Sequence, residues 1–520
     1  MPPSLPLLKK TITLDEALSQ DENILQQLSY PEKRLDFFYY LFQHRAGIEA
    51  IVSFHLGVSK DVCKVAGEFS EWVHGSFNAC IPVYINGPTK SLKNVFIRFP
   101  LPYKAGESQY PGNAEEKLRC EVATYIWMQS NCPDVPIPYL RGFGFSGGQT
   151  FTAAANAPLL SRIAWFLRQR VSWLFGCPIP CQYLIRQPPY KLEAGYLIVD
   201  CVDEGTMLSE SWETQRHDLD RRTNLFRDLS RIILSLNRLP FPRIGSLTID
   251  DRGVIDLINR PLTCELQQLE NLDIPTDIPR DQTYSTTDTY FSDLLACHDN
   301  RMRYMPNSIH NTSDGQEQLS ALTIMRALFP HFTNRNLRHG PFVLTLTDLH
   351  QSNIFVDSNW HITAIIDLEW ACARPIEMQR PPYWLTSCSL DGLDGEDLVA
   401  YSNAHSEFME AFEMEERSLG KGDIPYTRVM RKGWEIGAYW FFSALDCPDG
   451  LYNLYLTHIR PRFTKYEEAG GDFDRIMSAY WSTDTTEFIA AKVREKEEYS
   501  SQLRQRFTAD VDEVMSGTSV

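Results

Sequence analysis

The sequence has no run of about 20 uninterrupted apolar residues, the length that a membrane-spanning helix needs. Its most apolar stretch, residues 159–185, is broken by arginines and prolines: Arg162, Arg168, Arg170, Pro178 and Pro180. Such a stretch can rest on a membrane surface, but we expect no transmembrane segment. In the first ten residues the lysines follow the apolar residues instead of preceding them, which is unlike a secretory signal.

Cysteine pairs with the spacing of a zinc site are also missing. The twelve cysteines are scattered, and no CxxC pair is followed by a matching second pair. This pattern excludes a disulfide framework and a structural zinc site, since both need closer organisation of the cysteines. Reduced thiols are typical of the cytosol, so we expect a cytoplasmic protein.

Positive charge is in deficit. The 50 Lys and Arg residues face 67 Asp and Glu residues, which leaves a net charge of −17. Because nucleic-acid binding draws its affinity from clustered cations, we expect no nucleic-acid partner. Apolar content, by contrast, is ample: 43% hydrophobic and 12% aromatic residues support a globular fold, and 520 residues suit two or three packed units.

The first 200 residues show a change of periodicity. Apolar residues near a spacing of 3.6 predict helices between residues 14 and 59. Short apolar and alternating runs then predict strands, and one helix is predicted among them at residues 114–130. The predicted strands are 77–84, 93–99, 139–145 and 195–200. Asn86-Gly87-Pro88 predicts a turn that joins the first two.

Beyond Gly205 the pattern is mainly helical, as in residues 221–239, whose apolar residues keep one face. Two short β-like pieces interrupt it, 342–347 and 354–357, followed by 362–367. A charged amphipathic helix is predicted at residues 486–507. The second part of the chain is therefore predicted to be mostly α-helical.

Three polar residues stand at the ends of these short strands. Asp348 and Asn353 open and close the run DLHQSN, and Asp367 follows the next strand. In a loop between apolar strands Asp348 can face a substrate hydroxyl, while Asn353 and Asp367 can offer oxygen ligands to Mg²⁺. Phosphoryl transfer needs an orienting carboxylate, metal ions and a cation on the nucleotide. The spacing therefore predicts a phosphoryl-transfer site.

At these residues the sequence resembles the phosphotransferase enzyme family, which includes aminoglycoside phosphotransferases and choline kinases, and most of all its fungal aminoglycoside phosphotransferase domain group. The resemblance covers residues 75–382 and is strongest at 348–353, where the family reads HGDLHxxN, and at 366–370. It implies an α+β, bilobal protein-kinase-like fold, with a small antiparallel-sheet N-lobe and a larger, mainly helical C-lobe.

The same resemblance implies ATP and Mg²⁺ as cofactors and a small polar acceptor that bears a hydroxyl. The implied catalytic residues are Asp348 and His350, and the implied metal ligands are Asn353 and Asp367. Arg98 aligns with the family's phosphate-binding lysine and Glu121 with its ion-pair glutamate, while Lys93 is an alternative cation. The implied cofactor-binding residues are Gly75, Ser76 and Phe77 in a phosphate-covering turn, Arg98, Glu121, and Asp200 and Val202 in the hinge that meets adenine.

The implied domains are an N-terminal helical extension at 1–65, a nucleotide-binding N-lobe at 66–205, a helical C-lobe at 206–485 with the catalytic loop and metal site, and a C-terminal helix and tail at 486–520. An insert at 151–190 interrupts the N-lobe. Its aromatic residues are more typical of a packed lid or a partner surface than of a cofactor site: Trp165, Phe166, Trp173 and Phe175.

Three positions depart from the family pattern. Leu346 and Thr347 stand where the family has its first histidine and its glycine, and Arg98, a rigid fork, replaces a flexible lysine. One hypothesis is an ATP- and Mg²⁺-dependent kinase that acts on a hydroxyl of an unidentified small molecule; the other is a catalytically weak or inactive nucleotide-binding or scaffold protein. A substrate-binding module without nucleotide is a third. His350 can stabilise its loop or transfer a proton, and Glu369 can bind metal indirectly or cap a turn.

Overall fold

The computed structural model describes residues 4–86, 93–420, 424–464 and 472–516, which form a mixture of α-helices and antiparallel strands. This confirms the predicted mixed class. The turn predicted at Asn86-Gly87-Pro88 has its last two residues outside the described ranges. None of the helices described combines the length and the apolar character that crossing a bilayer demands.

The strands, in chain order, are β1 (Ser4–Pro6), β2 (Thr11–Thr13), β3 (Cys63–Val65), β4 (Val73–His74), β5 (Asn78–Ile85), β6 (Val95–Pro100), β7 (Leu140–Gly144), β8 (Thr150–Ala153), β9 (Tyr183–Ile185), β10 (Tyr196–Asp200), β11 (Thr206–Met207), β12 (Ser246–Ile249), β13 (Ile255–Asn259), β14 (Phe342–Leu346), β15 (Ile354–Val356), β16 (Ile362–Ile365) and β17 (Ala371–Pro375). The α-helices are α1 (Leu14–Ser19), α2 (Ile24–Gln27), α3 (Tyr30–Gln43), α4 (Arg45–Leu56), α5 (Pro102–Ala105), α6 (Asn113–Asn131), α7 (Leu159–Leu174), α8 (Leu208–Gln215), α9 (Leu219–Leu236), α10 (Cys264–Asn271), α11 (Thr287–Tyr304), α12 (Thr312–Phe332), α13 (Gly395–Ser418), α14 (Tyr426–Ile436), α15 (Ala438–Leu445), α16 (Leu451–Leu454), α17 (Phe473–Ser478) and α18 (Thr485–Ser516).

The largest sheet is antiparallel and runs in the order β3, β5, β6, β10, β7, β8, β9, with β4 also paired to β5. Because side chains alternate along a strand, β6 presents two different faces. Ile97 and Phe99 pack on the side of α4, whereas Phe96 packs on the side of α6. Arg98 shares the face of Phe96, and the sheet therefore aims this arginine at α6.

The helical predictions in the first part are confirmed, since α1 to α4 lie within residues 14–56 and α6 covers the segment predicted as a helix. The strands predicted at 77–84 and 93–99 correspond to β5 and β6. The predicted insert contains β8 and β9, which both belong to the large sheet, so the part that leaves the sheet is residues 154–182.

The second part of the chain is built on a large helical core that includes residues of α9, α11, α12, α13 and α15. Two small antiparallel sheets cross this region, one of β14 and β17 and one of β11, β15 and β16. They bring the ends of β14, β15 and β16 together. The two chain ends also meet, because Leu5 and Ile24 pack in one apolar cluster with Leu503 and Phe507 of α18.

A buried histidine joins α4 to the sheet. His55 is wholly buried, with Nε2 at 2.9 Å from the Tyr196 hydroxyl and Nδ1 at 2.9 Å from Thr152 Oγ1. Burial lowers the pKa of His55 to about 3, and Arg186 adds to the fall. An unfolded histidine has a pKa near ~6.5, so below that pH the unfolded state binds a proton that the folded state refuses. Acid therefore favours unfolding at this position.

We expect His55→Gln to lower the free energy of unfolding at neutral pH, because it disturbs two buried hydrogen bonds. The difference in the free energy of unfolding between the variant and the wild type should then shrink by roughly 1.4 kcal/mol per pH unit below about pH 6.5. Only the wild type loses stability as the unfolded histidine binds a proton. Urea denaturation at a series of pH values measures it. His217→Gln, at an exposed position, is the control, and a pH-independent difference for His55→Gln would contradict the assignment.

Candidate active site

The loop at residues 348–353 connects β14 to β15 and is held by backbone contacts. Thr347 donates to the carbonyl oxygen of Trp370 through its backbone nitrogen at 3.2 Å and through Oγ1 at 2.6 Å. Trp384 Nε1 donates to the carbonyl oxygen of Leu349 at 2.8 Å. The loop is therefore held at its start by the contacts of Thr347 and at Leu349 by the side chain of Trp384.

Leu346 stands where the family that the sequence resembles has a histidine. It is the last residue of β14 and pairs with Ala371 of β17. The strand ladder thus continues up to Thr347, directly before Asp348. The position of Asp348 is set by this pairing and by the contacts of Thr347, and no histidine side chain at position 346 is required for it.

Within the loop, Asn353 and His350 bind back to the chain. Asn353 Nδ2 donates to the backbone oxygen of Asp348 at 2.9 Å, which directs the amide nitrogen inward and leaves Oδ1 for another ligand. His350 Nδ1 accepts from the Ser352 backbone at 3.3 Å, and Nε2 lies 3.8 Å from Asp348 Oδ1. Burial lowers the pKa of His350, which favours the neutral ring. These contacts favour the interpretation of His350 as a residue that stabilises its loop.

Asp367 follows β16 in a strained conformation. Its φ is +65°, in the left-handed region that costs a residue with a Cβ on the order of 1 kcal/mol. The preceding residue, Ile366, donates its backbone N–H to the backbone oxygen of Asn353 at 3.0 Å, and this bond connects the two loops. Strain of this kind concentrates at functional sites, where the surrounding structure holds it in place.

Arg98 is the residue that joins the sheet to these loops. Its Nη1 donates to Glu121 Oε1 of α6 at 2.7 Å, and its Nη2 donates to Asp367 Oδ1 at 2.7 Å. The predicted pair of Arg98 and Glu121 is therefore formed, with a second partner that was predicted as a metal ligand. A planar guanidinium can span two carboxylates in this way, whereas a lysine is a single point of charge.

A second buried cation lies beside the first. Lys117 is wholly buried, forms an ion pair with Glu369 Oε2 and donates to Asn78 Oδ1 at 2.7 Å. Asn78 in turn donates to Glu369. Sequence reasoning missed Lys117, and it assigned Asn78 to the phosphate-covering turn without linking it to this buried cluster. One signal was present, because Lys117 lies four residues before Glu121 and therefore on the same face of α6.

Negative charge dominates the centre of the site. Oxygen atoms of Glu121, Asp367 and Glu369 all lie within 4.8 Å of one another. Burial raises the pKa of Asp348 to about 8, and the nearby Asp367 and Glu369 add to the rise. Burial also raises the pKa of Glu121 and of Glu369. Arg98 and Lys117 face these carboxylates, so a further cation would relieve the remaining repulsion.

The predicted phosphate-covering turn lies between β4 and β5. Gly75 and Ser76 are exposed, and the Gly75 backbone N–H donates to the Asn78 oxygen at 3.0 Å. Phe77 is buried, with its ring edge-on to Trp370 at 5.1 Å between centroids. The side chain of Phe77 therefore packs under the site, and the open part of the turn consists of Gly75 and Ser76.

In the predicted hinge, Asp200 is already hydrogen-bonded to other residues of the chain. Asp200 receives two hydrogen bonds from Arg141, and its backbone N–H donates to Tyr139. No hydrogen bond to Val202 is formed by any residue in the described ranges. Lys93, the alternative cation, is exposed and pairs with Asp203 at 3.0 Å, away from the Arg98 cluster.

Comparison with known proteins bears on the same region. Residues 154–378, which include Asp348, Asn353 and Asp367, match the model of the "Phosphotransferase enzyme family". No curated protein sequence matches the chain at a significant level. A macrolide 2'-phosphotransferase type I is among the similar solved structures, with a TM-score of 0.34, 8% sequence identity, and coverage of 83% of this chain and 96% of that one. Over residues 154–378, the chain is therefore similar to the phosphotransferase enzyme family.

Proposed function

We propose that the protein is an ATP- and Mg²⁺-dependent phosphotransferase that acts on a hydroxyl group of a small polar molecule. The observation that carries this proposal is the pair of hydrogen bonds that Arg98 donates to Glu121 and to Asp367. Through them, the cation expected to bind the nucleotide lies next to the loop of Asp348 and Asn353. The sheet with α6 and the helical part would then be the two lobes of a kinase-like fold, with the site between them.

Asp348 is suited to orient the acceptor hydroxyl. Its side chain is 31% exposed, so a substrate can reach it, while its backbone is fixed by Asn353. A groove beside it, lined by residues that include Leu346, Thr347 and Tyr383, is where we place the acceptor. A carboxylate that accepts the hydroxyl proton must be ionised, and burial, together with the neighbouring acids, opposes this in the absence of a cation.

Asn353 and Asp367 fit the preferences of Mg²⁺. One offers an amide oxygen and the other a carboxylate, both hard oxygen ligands. The crowding of Asp348 and Asp367 supplies the negative potential that draws a divalent cation. Bound Mg²⁺ would neutralise charge on the phosphates of ATP during transfer. Arg98 can keep Glu121 through Nη1 and turn Nη2 from Asp367 to a phosphate oxygen.

Binding of ATP with Mg²⁺ is expected to stabilise the protein, by about 2.7 kcal/mol at a ligand concentration of roughly 100 times Kd. The shift in Tm should disappear with EDTA and should be strongly reduced in Asn353→Ala, which removes one metal ligand. Asn336→Ala, an exposed asparagine outside the site, is the matched control. A shift that is the same with EDTA or in Asn353→Ala would contradict the proposed metal site.

A second candidate is a nucleotide-binding protein with little or no turnover. The specific observation in its favour is that Arg98 holds Asp367 directly, which competes with metal binding by that carboxylate. The two candidates differ in one measurement. A protein that shows the Mg²⁺-dependent Tm shift yet transfers no phosphate from labelled ATP to any of a broad panel of polyols, amino alcohols and sugars is the second candidate.

A further inference from the structure

The stretch that begins in β8 and ends shortly before β10, residues 151–192, has a composition unlike the rest of the chain. Residues 151–192 contain no Asp or Glu, in a protein whose net charge is −17. They contain five cations: Arg162, Arg168, Arg170, Arg186 and Lys191. The segment also holds α7, a helix of 16 residues in which no residue is buried. A positively charged, exposed helix on an acidic protein indicates a surface that binds a partner.

The helix α7 has its polar face toward the protein. Trp165 Nε1 donates to the Cys181 oxygen at 2.9 Å, and Gln169 Nε2 donates to the Pro180 oxygen at 2.8 Å. These two residues are four apart and therefore share one face. A surface helix of a globular protein normally buries its apolar face instead. In α7 the orientation is the reverse.

The face turned to solvent is apolar. Leu160 is 81% exposed, Leu167 57% and Leu174 70%, and their spacing of seven residues places them in one line along the helix. Two further aromatic side chains, Trp173 and Phe175, are 67% and 73% exposed at its C-terminal end. So large a contiguous apolar surface marks an interaction site.

Cations border this apolar line. At 100° per residue, Arg168 and Arg170 lie about 100° and about 60° from the line of leucines, on opposite sides of it, and Arg170 lies over the ring of Phe166 at 4.9 Å. Arg162 lies about 140° from the line, near the face of Trp165 and Gln169. In the described parts of the chain no carboxylate forms an ion pair with these three arginines. Arg168 and Arg170 are therefore available to an anionic surface on either side of the inserted leucines.

We propose that α7 docks the protein on an anionic lipid membrane, with the line of leucines in the interfacial layer and the flanking arginines on lipid phosphates. An apolar face with a basic margin and aromatic residues is the pattern of helices that lie in the membrane interface. At 1.5 Å per residue the helix reaches about 24 Å, which is too short to span the bilayer. A second copy that presented the same face would bring like charges together, so self-association is disfavoured.

The docking surface is separate from the phosphotransferase site. The residues of α7 connect β8 to β9, and β9 is an edge strand of the sheet. Between β8 and the strand that carries Arg98 lie β7 and β10. Membrane binding through α7 therefore does not rest on the proposed catalytic function, and it leaves the loop of Asp348 open.

The test is cosedimentation of the full chain with vesicles of phosphatidylcholine alone and of phosphatidylcholine with phosphatidylserine. We expect binding to the anionic vesicles, weakened by salt, with a blue shift of tryptophan fluorescence. The triple variant Leu160→Gln, Leu167→Gln, Leu174→Gln should bind the anionic vesicles at least about tenfold more weakly than the wild type. The matched control, Leu219→Gln, Val399→Gln, Leu419→Gln, alters three leucine or valine side chains of similar exposure elsewhere and should bind like the wild type.

Three results would overturn the proposal. The first is equal binding to neutral and anionic vesicles, and the second is equal loss in the test and control triple variants. The third is an absence of vesicle binding together with a dimer in light scattering that the α7 variant converts to a monomer, which would assign the face to a second copy. Because the substituted leucines are exposed, an unchanged Tm is expected and separates loss of binding from loss of fold.

Discussion

Asp348→Asn is expected to lower phosphoryl transfer by roughly a thousandfold, the scale of a positioned general base. The amide keeps the size of the side chain and removes its ability to accept the hydroxyl proton. Because Asn353 binds the backbone of Asp348 and not its carboxylate, the loop should keep its conformation. The measurement is the rate of phosphate transfer from ATP, to water if no acceptor has been found.

Two controls make the Asp348→Asn result specific. Asp281→Asn removes one exposed negative charge outside the site and should leave the rate unchanged. The Mg²⁺-dependent Tm shift should survive in Asp348→Asn, since Asn353 and Asp367 are intact. A variant that transfers phosphate as fast as the wild type would remove Asp348 from the mechanism. A variant that loses the Tm shift as well would instead indicate damage to the nucleotide site.

The largest effect on stability is expected from Lys117→Met. The substitution leaves Glu369 buried without its lysine, and breaking a buried pair in this way costs about 3–5 kcal/mol. Lys64→Met is the matched control, because Lys64 is 55% exposed and its pair with Glu49 should contribute less than about 1 kcal/mol. Urea denaturation of both variants gives the comparison.

A double variant tests the reason for this cost. In Lys117→Met with Glu369→Gln, the buried charge is removed along with its partner, so part of the lost stability should return. Residual bonds from Asn78 can then serve the glutamine. If Lys117→Met were no more costly than Lys64→Met, or if the double variant were the sum of the two single ones, the buried pair would not be the source of the stability.

Helices and strands were largely predictable because their signals are local. Periodicity over a few residues was enough for α6, β5 and β6, and the polar run after β14 indicated the loop of Asp348 and Asn353. The helix α7 was not predicted, since its proline-flanked, arginine-interrupted sequence read as an insert with an aromatic surface. Nothing in its periodicity says which of its two faces the protein covers.

The sequence by itself determined the chemical groups of the candidate site: the aspartates and asparagine of the two loops, the arginine that takes the place of a lysine, and the glutamate on the helix. Their order along the chain was sufficient for that. Tertiary structure alone decided their pairing. Arg98 meets Asp367 across 269 positions and Asn78 meets Glu369 across 291, and contacts so distant leave no local pattern. It also decided that Lys117 lies beneath the site and that α7 turns its leucines outward, because burial is a property of the packed chain and not of the residue.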